Sequence, residues 1–163
     1  MATSSSLHRL VAASLLIIGI LQYFTVSESF YLDADDWFIL TMGQEVAEFP
    51  AADQFTRFWS AEPTWRPLLT ARTALEYALF EYDIAPRLIV NIALHALCGW
   101  LVYLTAIAWL GTPRIAAWTS LLYVAHPLHA EALAWFHSGF EGITVTVFVL
   151  LTLLSVGRKA PIW

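Results

Sequence analysis

Long uncharged apolar stretches alternate with short polar breaks along this chain. Leu10 to Val26 runs 17 residues without a charge, just after His8 and Arg9. A basic start before a short apolar stretch also opens a signal peptide. No small-x-small cleavage site follows, and the exit reads Ser27-Glu28-Ser29-Phe30, which favours an uncleaved anchor. Leu88 to Leu110 is the clearest stretch, 23 uncharged residues. At 1.5 Å per residue it measures about 34 Å, enough to cross a hydrocarbon core of roughly 30 Å with some tilt. Ile115 to Ala130 is uncharged but carries His126, Pro127 and His129, and its clean part ends at Ala125, too short to cross alone. Gly142 to Gly157 is uncharged up to Arg158 and Lys159. These last two stretches are expected to pair as a tight helical hairpin whose polar tip dips towards the bilayer.

The pattern predicts an all-α integral membrane protein of one module, residues 1–163, with about four transmembrane helices near 10–26, 88–110, 115–130 and 142–157. An outer loop, 27–87, carries interfacial helices. Within it Asp53 can cap a helix over Gln54 to Trp59. Pro67 suits the first turn of a helix running to Phe80. On that helix Leu68, Leu75, Leu79 and Phe80 define an apolar face, and Arg72 and Glu76 stand four apart as a possible pair. Such a helix lies along the interface.

Composition agrees with this layout. Hydrophobic residues make up 59% of the chain and charged ones 13%, against roughly 45–50% and about 25% in soluble domains. That excludes a disordered chain, a basic-faced nucleic-acid binder and most soluble enzymes. One cysteine excludes a disulfide framework and a thiolate zinc site. Charge placement orients the spans. With the N-terminus inside, the inner segments hold Arg9, Arg114, Arg158 and Lys159 and no acid, while the outer ones hold Arg57, Arg66, Arg72, Arg87 and all 13 acids. Basic inner segments are what membrane insertion favours. The chain is accordingly read as a multi-pass protein of a bacterial inner membrane with both termini cytoplasmic.

Four constellations could carry chemistry. Asp33-Ala34-Asp35-Asp36-Trp37 follows the first span. Adjacent carboxylates there can bind a divalent metal ion, or one can act as a base; equally, acids favour the first turn of a helix. Arg66-Pro67-Leu68, beside Trp59 and Trp65, offers a guanidinium that can clamp a phosphate or simply snorkel to the interface. Asn91 and His95 share one face of the second span, either as a functional pair or as interhelical hydrogen-bonding groups. His126, His129, His137 and Glu141 would fall in one sector of a continuous helix, with Glu131 nearby; such a set can ligate a metal, relay protons, or form an ordinary polar tip.

Taken in order, these pieces resemble a known family. The acidic pair, Trp65-Arg66-Pro67-Leu68, Leu75-Glu76-Tyr77-Ala78-Leu79-Phe80, Asn91-Ile92-Ala93-Leu94-His95-Ala96-Leu97, and His126-Pro127-Leu128-His129-Ala130-Glu131-Ala132-Leu133-Ala134-Trp135 look like the N-terminal part of the GT-C superfamily of membrane glycosyltransferases. The branch is the protein O-mannosyltransferase-like proteins that often carry tetratricopeptide repeats. The resemblance implies a transferase taking sugar from a polyprenyl-phosphate donor at the outer leaflet, of which these residues are the truncated N-terminal portion. It places the catalytic pair on Asp35 and Asp36, one as base or acceptor-binding group and the other as a metal contact. Arg66 would meet the lipid phosphate, and His126, His129 and Glu131 would shape the membrane side of the pocket. A different class of reading is a non-catalytic subunit that packs against a larger membrane complex. It has no need of Asp35, Asp36, Arg66 and His126, and all four are present.

Overall fold

Proline, glycine and an aspartate cap set where the apolar stretches begin and end as helices. A computed structural model describes residues 2–29, 34–50, 53, 66–129, 133 and 136–157. Among them the regular structure is helical: α1 Ala2–Ser29, α2 Ala34–Ala47, α3 Pro67–Phe80, α4 Ile84–Leu110, α5 Pro113–Ala125 and α6 Phe136–Gly157. The expected helix over Gln54 to Trp59 lies outside the described residues.

Helix α4 starts where the Asp83 carboxylate accepts from the Ala85 N–H at 3.1 Å. It ends at Gly111, whose φ of 64° is open to a residue without a Cβ and whose N–H reaches the Ile107 carbonyl at 2.9 Å. Pro113 then opens α5 and Pro67 opens α3, each within the first turn, where a missing N–H costs nothing. Helix α5 stops at Ala125 because Pro127 pushes His126 into extended backbone, φ −69° and ψ 129°. Helix α5 therefore does not run on from His126 to Glu141, and the one sector that these side chains would share on a continuous helix does not form. The break falls at His126-Pro127, whereas Ser138-Gly139 sits inside an unbroken α6.

Among the described residues two helices are long and apolar enough to cross a membrane, over Ser6–Ser27 and Ile84–Leu110, with mean hydropathy 2.0 and 1.8. Much of α1 faces outward, with Leu16, Ile17, Leu21 and Phe24 all exposed. Exposed apolar side chains also mark α5 and α6, among them Trp118, Leu122, Val145 and Phe148. Apolar surface this extensive needs a partner other than water, and a lipid bilayer supplies it. At 13 residues α5 spans about 20 Å, well short of the bilayer core.

Helix α4 is the centre, with α1, α5 and α6 packed around it. Val11, Leu15, Tyr103, Ala116 and Val124 close one core, while Val26, Leu88, Ile92, Cys98 and Ile143 close another. The first contains the tightest approach. A Cβ on Gly99 would stand 2.3 Å from Val124 Cγ2 and 3.0 Å from Leu15 Cδ2, so α1 and α5 close on α4 through the missing side chain. Gly99→Ala should therefore lower stability in detergent by about 1–3 kcal/mol. Gly142→Ala, in a helix with nothing within 4 Å of the new methyl, should raise it by up to about 1 kcal/mol. Denaturation of the two variants side by side checks this; equal effects would refute the close approach.

Outside this bundle α2 packs on α3 through Ile39, Leu40, Met42, Val46 and Ala74, with Gly43 against Thr73 and Tyr77. Helix α3 is turned inside out. Its leucines Leu68, Leu75 and Leu79 face outward, and Thr70, Thr73 and Glu76 are buried. The apolar stripe read from the sequence is present, but it faces away from the protein. The buried hydroxyls are satisfied by donating to the Arg66 and Leu69 carbonyls, at 3.0 and 2.9 Å.

Candidate functional site: a guanidinium-walled cleft

The inward face of α3 carries charge into the protein. Glu76 lies one helical turn after Arg72, whose Nε donates to Glu76 Oε1 at 2.8 Å, the pair anticipated from their spacing. The other nitrogens of the same guanidinium reach outside α3. Nη1 donates to Thr144 Oγ1 on α6 at 2.5 Å, and Nη2 donates to Asn91 Oδ1 on α4 at 2.6 Å. One side chain thus bonds an acceptor on each of three helices. Arg87, fully buried in the first turn of α4, approaches Glu76 Oε2 at 3.5 Å and donates to the Glu81 carbonyl at 2.5 Å. Burial pushes the Glu76 carboxyl above the ordinary carboxylate value, and the positive charges of Arg72 and Arg87 offset only part of that. Asn91 Nδ2 is buried without a hydrogen-bond partner among the described residues.

Beside this network, between the start of α3 and the middle of α6, opens a cleft of about 280 Å³. Arg66 and Arg72 supply its positive charge, Thr144 a hydroxyl, and Leu68, Val145 and Phe148 most of its apolar wall. Arg66 is placed there because Pro67 starts the helix, leaving Arg66 as the half-buried residue that precedes its first turn. Two guanidinium groups over an apolar wall suit an anionic head on an apolar chain.

The histidines form a separate cluster. The C-terminal end of α5 comes to rest beside the middle of α4, where its open carbonyls need donors. Gln22 Nε2 on α1 donates to the Val124 carbonyl at 2.8 Å, and His95 Nε2 faces the same oxygen at 3.3 Å. His95 therefore acts as an interhelical hydrogen-bonding group. The His129 ring packs at a tilt against Tyr123 and His95, with ring centroids 4.5 and 4.9 Å apart. His126 is exposed, and its Nδ1 accepts from the Leu128 N–H at 3.3 Å. It also lines a smaller cavity with Gln22, Thr25 and Pro127.

Of the residues singled out from the sequence, His126 and His129 are brought together, and Arg66 lies in the cleft instead. Asp35 and Asp36 fall in the first turn of α2, and their side chains lie outside what is described. Glu131, Trp59 and Trp65 are outside the described residues, as are the side chains of His137 and Glu141. Carboxylate oxygens suit a hard divalent ion, but among the described residues no group of three His, Cys, Asp or Glu side chains gathers to hold a metal. Sequence reasoning missed Arg87 and Thr144. The signal for Arg87 was its place at the head of a span, where a charge must find a partner or water; Thr144 gave none.

No family model and no solved structure matches the chain. Over 142 residues it is 29% identical to the protein O-mannosyl-transferase Tmtc1 of Drosophila melanogaster, covering 82% of this chain and 16% of that protein. The chain is thus a membrane-associated helical protein distantly similar to a protein O-mannosyl-transferase, and it spans about one-sixth of that relative's length.

Proposed function

We propose that the chain is the N-terminal membrane module of a GT-C-type glycosyltransferase that draws its sugar from a polyprenyl-phosphate donor at the outer face of the membrane. In this reading the four apolar stretches cross the membrane, the third as the short helix α5 completed by the non-helical His126-Pro127 segment, both ends lie inside, and α2 and α3 lie along the outer interface. The observation that carries it is the cleft in which Arg66 stands over an apolar wall, together with the distant similarity to a protein O-mannosyl-transferase. A lipid phosphate leaving group gains negative charge as the sugar departs, and a positioned guanidinium stabilises that charge. Asp35 or Asp36 would accept the proton of the acceptor hydroxyl as its oxygen attacks the anomeric carbon. The carbon–oxygen bond to phosphate breaks, and the phosphate takes the electron pair beside Arg66. His126, His129 and Glu131 would line the membrane side of the donor.

The test uses the full gene product in liposomes with polyprenyl-phosphate mannose and a serine/threonine peptide. Transfer of sugar to the peptide, with KM for the donor raised roughly tenfold or more in Arg66→Ala, supports the reading. Transfer with wild-type KM in that variant would remove the cleft from the reaction.

A further inference from the structure

The two helices of the outer interface pack mainly on each other. From α3 the Arg72 side chain bonds across to the bundle at two acceptors, Asn91 on α4 and Thr144 on α6, while Glu76 on its own helix orients it. We propose that Arg72 is a positioning residue: it latches α3 to α4 and α6, and so keeps Arg66 in place over the Thr144–Phe148 wall of the cleft. The inference rests on the reading of that cleft as the lipid-phosphate site. Three observations support it. The acceptors Glu76 Oε1, Asn91 Oδ1 and Thr144 Oγ1 belong to three different helices and lie 2.5–2.8 Å from three different nitrogens of one guanidinium. Two of the three acceptors, Asn91 and Glu76, are buried, so water cannot readily replace the bonds. On the buried face of α3, Thr73 and Ala74 meet α2 and not the bundle, while Leu68, Leu75 and Leu79 face away.

A planar fork with fixed donor directions can hold three acceptors at once, and a lysine ammonium at the same site cannot match that geometry. The latch is thus separable from the charge. Arg72→Lys keeps a cation in the cleft but loses the fork. Thr144→Val and Asn91→Leu keep Arg72 and remove one acceptor each.

The experiment measures two quantities on the full chain in detergent. The first is affinity for geranyl phosphate, with geraniol as the uncharged control. The second is the distance distribution between spin labels at Leu79→Cys on α3 and Val149→Cys on α6, both exposed positions away from the cleft, in a Cys98→Ala background. Arg72→Lys and Thr144→Val are each expected to weaken geranyl phosphate roughly tenfold, to leave geraniol unchanged, and to broaden the distance distribution. Wild-type affinity and distances in folded Thr144→Val and Arg72→Lys would overturn the proposal. So would weak binding in Arg72→Ala with full binding in Arg72→Lys, since Arg72 would then act by charge alone. If the wild-type chain does not prefer geranyl phosphate over geraniol, the phosphate reading of the cleft fails. The distance measurement then decides the latch by itself.

Discussion

Asp35→Asn is expected to reduce sugar transfer by a factor of about 10²–10⁴ while leaving membrane insertion and folding intact. The substitution is nearly isosteric and retains polar atoms that can hydrogen-bond in the first turn of α2. What it removes is the ability to accept a proton. An acceptor hydroxyl is a poor nucleophile until its proton leaves, so a positioned carboxylate contributes most when the new bond to the sugar is forming. Asp36→Asn is the internal comparison. If the two carboxylates divide the work, one variant loses turnover at unchanged acceptor KM and the other raises that KM. Transfer assays on both variants, with donor saturating, distinguish the roles. Wild-type turnover in both would sink the assignment of the acidic pair and return Asp35 and Asp36 to a helix-start role, where acids are favoured by the exposed N–H groups.

Glu76→Ala carries the largest expected cost to stability, about 3–5 kcal/mol. Glu76 is the counter-charge for two guanidinium groups, Arg72 at 2.8 Å and Arg87 at 3.5 Å, and Arg87 is entirely buried. Truncating the acid leaves two like charges facing each other, one of them, Arg87, out of reach of water. Glu76→Gln should cost much less, because an amide oxygen still accepts from Arg72 Nε. The amide variant also tests the electrostatics. Burial holds the folded Glu76 carboxyl above its ordinary value of 4.5, against the pull of Arg72 and then Arg87. The folded state therefore binds the proton more tightly than the unfolded chain does. Stability contributed by this group rises as pH falls through the raised folded value towards 4.5, and is lost as pH climbs back through it. Thermal or denaturant unfolding in detergent across that window should show a shallower pH dependence for Glu76→Gln than for the wild type. Superimposable profiles would mean that Glu76 titrates as an exposed acid and that the network is not closed.

The helices were largely legible in advance because their signals are local. An uncharged run from Leu88 to Leu110 lies within α4, and Pro67 to Phe80 is α3 residue for residue. The pair Arg72 and Glu76 also followed from spacing alone, since side chains four apart share one face of a helix. Between α5 and α6 two local signals competed. The spacing of His126, His129, His137 and Glu141 suits one helix, yet Pro127 outweighs it by barring helical backbone at His126. At Ser138-Gly139 the outcome reverses, because an isolated glycine weakens a helix by only about 1 kcal/mol.

The direction in which faces point belongs to a different level. Period and composition place Leu68, Leu75 and Leu79 on one stripe of α3, but a stripe can face a protein core or a lipid with equal ease, since both are apolar. Its outward turn depends on what the opposite face meets. There Arg72 finds Thr144, 72 residues away in sequence, and Asn91, 19 residues away. Likewise Gly99 reads as a weak point in an apolar run, and becomes the place where α1 and α5 close on α4 once Val124 and Leu15 stand against it. Apolar runs, prolines and charge placement thus settle which segments are helical and which are apolar enough for a bilayer, because each acts within a few residues of itself. The cleft, the three-helix latch and the buried arginine depend on groups far apart in the chain, and no local pattern records which of them will meet.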